Sequence, residues 1–116
     1  MKKNNLRIWL GVIVVLALIA IVVRLRVAAR PANASSVEVN IDNFTYSPTS
    51  LVVRVGTQIT WTNRDDIPHT VVENGKVFKS KVLDTNEKFT FRPEKAGTYK
   101  YYCSIHPKMT AEVVVE

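Results

Sequence analysis

The chain has 116 residues, of which 47% are hydrophobic and 22% are charged, and its formal net charge at pH 7 is +6. This length suits one small domain with an appendage, and it excludes two domains that each bury a core of their own. The single cysteine, Cys103, excludes an intramolecular disulfide and therefore a disulfide-stapled secreted scaffold.

The positive charge is concentrated at the N-terminus. Residues 1–36 contain six basic side chains and no acidic one. Removing these six from the 16 basic residues of the chain leaves ten in residues 37–116, where all ten acidic residues balance them. A nucleic-acid-binding domain carries its basic patch on the folded domain, so this class of function is excluded.

Residues 8–23 are an uninterrupted apolar stretch between Arg7 and Arg24. A helix of this length measures about 24 Å at about 1.5 Å per residue, slightly less than the hydrocarbon core of about 30 Å. The flanking arginines can extend their charges to the membrane surface, and Trp9 lies where an interfacial aromatic belongs. We therefore expect residues 1–30 to be a transmembrane helix that acts as a signal anchor.

A cleaved signal peptide is the alternative for this segment. Residues 32–34 read Ala-Asn-Ala, which is a small-x-small cleavage pattern. Three arginines lie between the apolar stretch and this site, which is unusual for a signal peptide and favours an uncleaved anchor. Cleavage after Ala34 would instead give a secreted or periplasmic protein. Residues 31–36 are expected to form a polar linker.

Short β patterns fill residues 37–116, where apolar residues alternate with period two between turn residues. Asn74-Gly75 lies between two of these stretches and is a strong hairpin signal. The sequence therefore predicts one all-β domain, a sandwich or a small barrel. The predicted strands cover residues 37–41, 51–55, 58–62, 70–73, 76–78, 88–92, 99–103 and 111–115.

The residues that could bind a transition metal fall into two loop-like stretches. Cys103, His106 and Met109 are spaced three apart after a predicted strand, and His69 lies in an upstream loop. Two imidazoles and a thiolate can form a trigonal plane with a thioether as weak axial ligand, an arrangement that holds both Cu(I) and Cu(II). The sequence predicts a site for one copper ion, although a structural zinc site stays open.

The motifs around these residues resemble those of the cupredoxins, or blue copper proteins, of the plastocyanin/amicyanin-like group. The short Cys-x-x-His-Pro-x-Met loop makes the likeness strongest to amicyanin, and the resemblance covers most of residues 37–116. It implies a Greek-key β-sandwich with one type 1 copper that carries electrons between larger redox proteins. The segments that carry the resemblance are residues 61–64, 68–69, 101–109 and 113–116.

The resemblance also implies a role for each metal-binding residue. His69, Cys103 and His106 would be equatorial ligands, and Met109 would be the axial ligand. Thr70 stands where the family commonly has Asn; its backbone N–H is expected to donate to the cysteine sulfur, while its hydroxyl would clamp the two loops less fully. Two further departures are Ile105 in place of a frequent Pro and Ala111 in place of a frequent Gly. Contacts around the ligands tune a reduction potential, so we expect the three departures to act on it and not on the ligands themselves.

We therefore expect an electron carrier that is not an enzyme, because no further His or Cys exists to build a second metal centre. A copper-binding or copper-delivery module is the alternative. Redox proteins are expected to dock at the exposed edge of His106, and the domain is expected to be monomeric. Asp65 and Asp66 are interpreted as a solvated turn. The apolar residues expected around His106 are Ile67, Pro68, Ile105 and Pro107.

The expected location follows from the thiolate and from the anchor. A cysteine thiolate that binds copper is best placed outside the cytoplasm, and the apolar N-terminal segment supplies the route. The sequence therefore predicts a single N-terminal span, with residues 37–116 as a cupredoxin domain in the periplasm or at the cell exterior.

Overall fold

A computed structural model describes residues 35–116. This part of the chain contains no helix long and apolar enough to cross a membrane. The anchor expected over residues 1–30 lies outside the described residues, as does most of the expected linker. The described part contains eight strands: β1 (Ser36–Asp42), β2 (Thr45–Ser47), β3 (Ser50–Val53), β4 (Gln58–Asn63), β5 (Val72–Glu73), β6 (Lys88–Phe91), β7 (Gly97–Tyr102) and β8 (Thr110–Val115).

The strands form two four-stranded sheets. One sheet has the order β2-β1-β4-β6, and the other has the order β3-β8-β7-β5. The pairs β1–β4 and β3–β8 are parallel, and the remaining pairs are antiparallel. Because successive strands repeatedly change sheet, residues distant in sequence meet in one core. The expected all-β sandwich is confirmed.

The core follows the period-two alternation of the sequence. Val39 and Ile41 of β1 are fully buried, and so are Ile59 and Trp61 of β4. Each such side chain contributes about 1.5–3 kcal/mol through removal of apolar surface from water. Trp61 belongs to an aromatic cluster, at ring-centroid distances of 5.4 to 5.7 Å from three of its neighbours. These neighbours are Phe78, Phe89 and Tyr101.

A tight hairpin that the sequence patterns did not predict joins β1 to β2. Its two loop residues, Asn43 and Phe44, have φ values of 49° and 57°, and Asp42 pairs with Thr45 on either side of them. Two consecutive positive φ values in a two-residue loop are typical of a type I′ turn. The turn projects from the same end of the sandwich as Asp65, which accepts hydrogen bonds from its backbone.

The strand predicted over residues 76–78 is wrong. The chain does turn after β5, where the Lys76 N–H donates to the Glu73 carbonyl at 2.9 Å. Beyond the turn only an isolated bridge forms, between Val72 and Lys79. Phe78 is instead buried against the aromatic cluster, so packing outweighs the local preference for a second strand.

Two loops at one end of the sandwich carry the predicted metal-binding residues. The first follows β4, and its backbone is held where His69 and Leu83 exchange two hydrogen bonds of 3.1 and 2.8 Å. The Asn63 side chain also donates to the carbonyl oxygens of Ile67 and Leu83. The second loop joins β7 to β8.

Candidate metal centre

The structure brings His69, Cys103 and His106 together, with one donor atom from each lying within 4.8 Å of the others. The Sγ atom of Cys103 lies 3.8 Å from Nδ1 of His69 and 3.7 Å from Nδ1 of His106. His69 and Cys103 are fully buried, and His106 is partly exposed. His69 and Cys103 therefore lie inside the domain, whereas His106 lies at its edge.

These distances fit a trigonal metal site. A metal about 2.3 Å from sulfur and about 2.0 Å from each nitrogen, with angles near 120°, separates sulfur from nitrogen by about 3.7 Å. The observed separations of 3.7 and 3.8 Å allow one metal ion to bind the thiolate and both imidazoles together, and two histidines with one cysteine are a donor set that copper takes.

Met109 lies at the end of the same loop and closes it. Its backbone N–H donates to the His106 carbonyl at 2.9 Å, and its carbonyl accepts the Cys103 N–H at 3.1 Å. Its side chain is buried in the core cluster that also contains Cys103. These bonds fix the spacing of the three loop residues before any metal binds.

Asp65 orients the ring of His69. Its Oδ2 lies 2.7 Å from Nε2 of His69, and because a carboxylate can only accept, the ring carries its proton on Nε2 and leaves Nδ1 free for a metal. Burial acts to raise the pKa of Asp65, but hydrogen bonds from the Phe44 N–H, the His69 ring and the Asn43 N–H outweigh it and hold the pKa below its usual value.

Thr70 connects the two loops. Its backbone N–H donates to Sγ of Cys103 at 3.4 Å, which confirms the expected bond to sulfur. Its hydroxyl accepts the Ser104 N–H at 2.7 Å and lies 2.8 Å from the Ser104 hydroxyl. Two hydroxyls thus join the two loops.

The interpretation of Asp65 as part of a solvated turn is wrong. Its carboxylate accepts one side-chain and two backbone hydrogen bonds, and of the two acidic residues Asp66 alone is exposed. The spacing of four residues between Asp65 and His69 is a signal that could have revealed this role, because metal-binding histidines usually donate their second N–H to an acceptor.

The sequence patterns did not indicate that Phe44 belongs to this site. Its ring lies edge-on to the rings of His69 and His106, although 25 or more residues separate it from either in sequence. It is also half exposed, at 50%. No local sequence pattern predicts the contact of Phe44 with the two histidines, because it arises from the pairing of β1 with β4 and from the turn that follows β1.

A β-sandwich that brings one thiolate and two imidazoles together, with a methionine on the same short loop, defines the class of small copper-binding β-sandwich proteins. The chain belongs to the cupredoxin family, because the family described as "Cupredoxin-like domain" matches residues 12–115.

Known relatives place the chain near the amicyanins. It is 33% identical over 94 residues to Amicyanin-alpha of Methylorubrum extorquens, covering 77% of this chain and 79% of that protein. Among solved structures, a purple cupredoxin from Nitrosopumilus maritimus has a TM-score of 0.65 and 38% identity, covering 68% of this chain and 98% of its own. A Cu(I) form of an amicyanin mutant has a TM-score of 0.67 and 34% identity, covering 77% and 89%. The resemblance to the amicyanin-like group is confirmed.

Proposed function

We propose that this protein is a type 1 copper electron carrier that moves single electrons between redox partners at the extracytoplasmic surface of a membrane. The observation that carries the proposal is that Cys103 Sγ lies 3.8 Å from Nδ1 of His69 and 3.7 Å from Nδ1 of His106. A ligand set that is already arranged this way needs little movement when an electron arrives or leaves.

Each residue of the centre has a role in this proposal. His69, Cys103 and His106 would hold the ion together with Met109. Copper bound there would supply a one-electron Cu(II)/Cu(I) couple. The Thr70 N–H donates to the thiolate and stabilises its negative charge, and the burial of Cys103 keeps water away from the sulfur.

The partly exposed His106 is the proposed route for electrons. The side chains of Phe44 and Ile105 are 50% and 42% exposed, and Pro107 next to His106 is exposed as well. An apolar surface of this kind suits brief contact with another redox protein, since such encounters use small interfaces. We propose that partners dock on this surface and that the domain acts as a monomer.

Metal delivery is the alternative function, and the burial of the donors argues against it. A protein that hands copper to a partner must expose its ligands for exchange, whereas His69 and Cys103 are fully buried. The held geometry of both loops also favours retention of the ion. We therefore propose a carrier of electrons and not of copper, with no catalytic site of its own.

The test is the visible and EPR spectrum of the full chain, purified in mild detergent, after addition of one equivalent of Cu(II). We expect an intense thiolate-to-copper absorption and a small copper hyperfine splitting. Cys103→Ser should abolish the absorption because the thiolate is lost, while circular dichroism of the metal-free variant stays that of the wild type. An ordinary tetragonal Cu(II) spectrum from the wild type would contradict the proposal and favour delivery or zinc.

A further inference from the structure

Phe44 occupies a backbone position that does not suit it. Its φ of 57° lies in the left-handed region, which bulky residues rarely adopt, and the second position of a type I′ turn ordinarily carries Gly. Core burial does not offset this strain, because the side chain is 50% exposed. An unfavourable conformation that persists at such a position points to a role outside folding.

The contacts of the ring indicate that role. Its centroid lies 5.6 Å from that of His69 and 5.2 Å from that of His106, at interplanar angles of 89° and 88°. Both are edge-to-face arrangements within the distance range of favourable aromatic pairs. One side chain therefore restrains two imidazoles that themselves lie 5.0 Å apart.

The turn that carries Phe44 is fixed to the metal centre from outside. The Asp65 carboxylate accepts hydrogen bonds from the Asn43 N–H at 2.7 Å and the Phe44 N–H at 3.0 Å. The same carboxylate accepts a hydrogen bond from the His69 ring. The position of Asp65 is itself held, because its own N–H donates to the side chain of Asn63 at 2.9 Å.

The two histidines differ in what orients them. The Nε2 atom of His69 donates to Asp65, whereas within residues 35–116 the only hydrogen-bond contact of the His106 ring is that of Nδ1 with the cysteine sulfur. The edge-to-face contact with Phe44 is thus an additional restraint on the His106 ring, made by a residue that is not itself a ligand. Loss of Phe44 should affect the orientation of His106 most.

We propose that Phe44 is a positioning residue that holds the His106 ring, and secondarily the His69 ring, in the metal-binding orientation before and after the ion binds. The proposal rests on the proposed function only in taking both histidines as metal ligands. In this proposal, the strained turn is retained because it places the Phe44 ring against the two histidines.

The test compares Phe44→Gly, Phe44→Leu and Phe44→Tyr in the full chain, with Val52→Ala as control. Val52 is 60% exposed and lies on β3, so its truncation removes apolar surface away from the histidines. Three quantities are measured: the urea midpoint of the metal-free protein, the affinity for Zn(II) by chelator competition, and the imidazole NMR signals of the Zn(II)-loaded protein.

We expect Phe44→Gly to leave the urea midpoint of the metal-free protein unchanged or higher, because Gly suits the turn. Its Zn(II) affinity should fall about fivefold, which is the change in binding constant that corresponds to the loss of one edge-to-face aromatic contact. The His106 ring signals should broaden as the ring becomes mobile. Phe44→Tyr should retain the wild-type affinity, and Phe44→Leu should lose affinity as Gly does.

Wild-type Zn(II) affinity and sharp His106 signals in Phe44→Gly would overturn the proposal. If that variant does not fold, Phe44→Leu decides, since it keeps the bulk of the side chain and lacks only the aromatic edge. A fall in affinity for Val52→Ala equal to that for Phe44→Gly would also overturn it. Failure of the proposed function is separate: the wild type would then bind Zn(II) tightly and give no type 1 spectrum with copper.

Discussion

At the scale of single residues, two buried tyrosines differ in whether their hydroxyls are bonded. Tyr46 donates to the Thr70 carbonyl at 2.6 Å, which ties the core to the backbone beside the metal centre. The Tyr101 hydroxyl is buried without a completed hydrogen bond. Burial raises the pKa of both groups, to about 12 for Tyr101, where the nearby Trp61 N–H acts in the opposite direction.

We expect Tyr101→Phe to raise the free energy of unfolding at pH 7 by up to about 1 kcal/mol, because it removes an unsatisfied hydroxyl and keeps the aromatic contacts. Urea unfolding at pH 7 measures this change. Tyr46→Phe is the matched control and should lower the free energy of unfolding by about 1–2 kcal/mol, since it orphans the Thr70 carbonyl. A loss of stability in Tyr101→Phe would contradict the assignment.

The same residue predicts how stability depends on alkaline pH. An unfolded tyrosine ionises near pH 10, whereas Tyr101 in the fold keeps its proton up to about pH 12. This group therefore leaves the free energy of unfolding independent of pH below pH 10 and lowers it as the pH rises from 10 to about 12, because the unfolded chain releases the proton first. Tyr101→Phe should flatten the fall in stability over this window, and Tyr46 accounts for part of what remains.

At the scale of elements, the turn after β5 forms where the Asn-Gly pair predicts it, but in another conformation. The residue with positive φ is Lys76, at 61°, and not the glycine before it. A type I′ turn would need positive φ at both Asn74 and Gly75. The exposed lysine thus takes the left-handed position that glycine would occupy at lower cost.

Lys76→Gly should therefore stabilise the fold by about 0.5–1 kcal/mol, measured by thermal or urea unfolding. Gly56→Ala is the opposite case, because Gly56 has a φ of 85° and an added Cβ would meet nothing within 4 Å. It should destabilise by about 1 kcal/mol through backbone conformation alone. Changes of the same sign in the two variants would contradict this account of the turns.

At the scale of the whole molecule, the proposed location depends on residues 1–30. We expect the full chain in a bacterial host to fractionate with the membrane, with its domain open to protease from the extracytoplasmic side. Leu16→Arg should release it or block its export, since an arginine at the centre of a span costs about 2.5–3.5 kcal/mol. Leu16→Ala is the control and should behave as the wild type.

The mass of the chain recovered from these fractions distinguishes the two models for the N-terminus. An anchored protein keeps its full length, whereas cleavage after Ala34 leaves a chain that begins at Ser35. A shortened chain in the soluble fraction would contradict the anchor and leave the proposed electron transfer untouched.

Several strands were predictable because their signal is local. The alternation in β1 and β4 is enough to predict strands that bury one face, as Val39 and Trp61 do. β2 was not predictable, since three residues after an Asn-Phe turn carry too little pattern. Phe78 is the opposite case. Its local pattern predicted a strand, but its packing in the aromatic cluster outweighed that preference.

By itself the sequence determined the all-β class and the cupredoxin resemblance, and it named the donors that could hold a metal. It could do so because Cys103, His106 and Met109 share one short loop, and because histidine and cysteine are scarce in this chain. Only the tertiary structure decided that Phe44 covers both imidazoles and that the Asp65 carboxylate accepts hydrogen bonds from the turn that carries Phe44. The physical reason is that these contacts join separate strands and loops, and strand pairing between residues distant in sequence sets their positions.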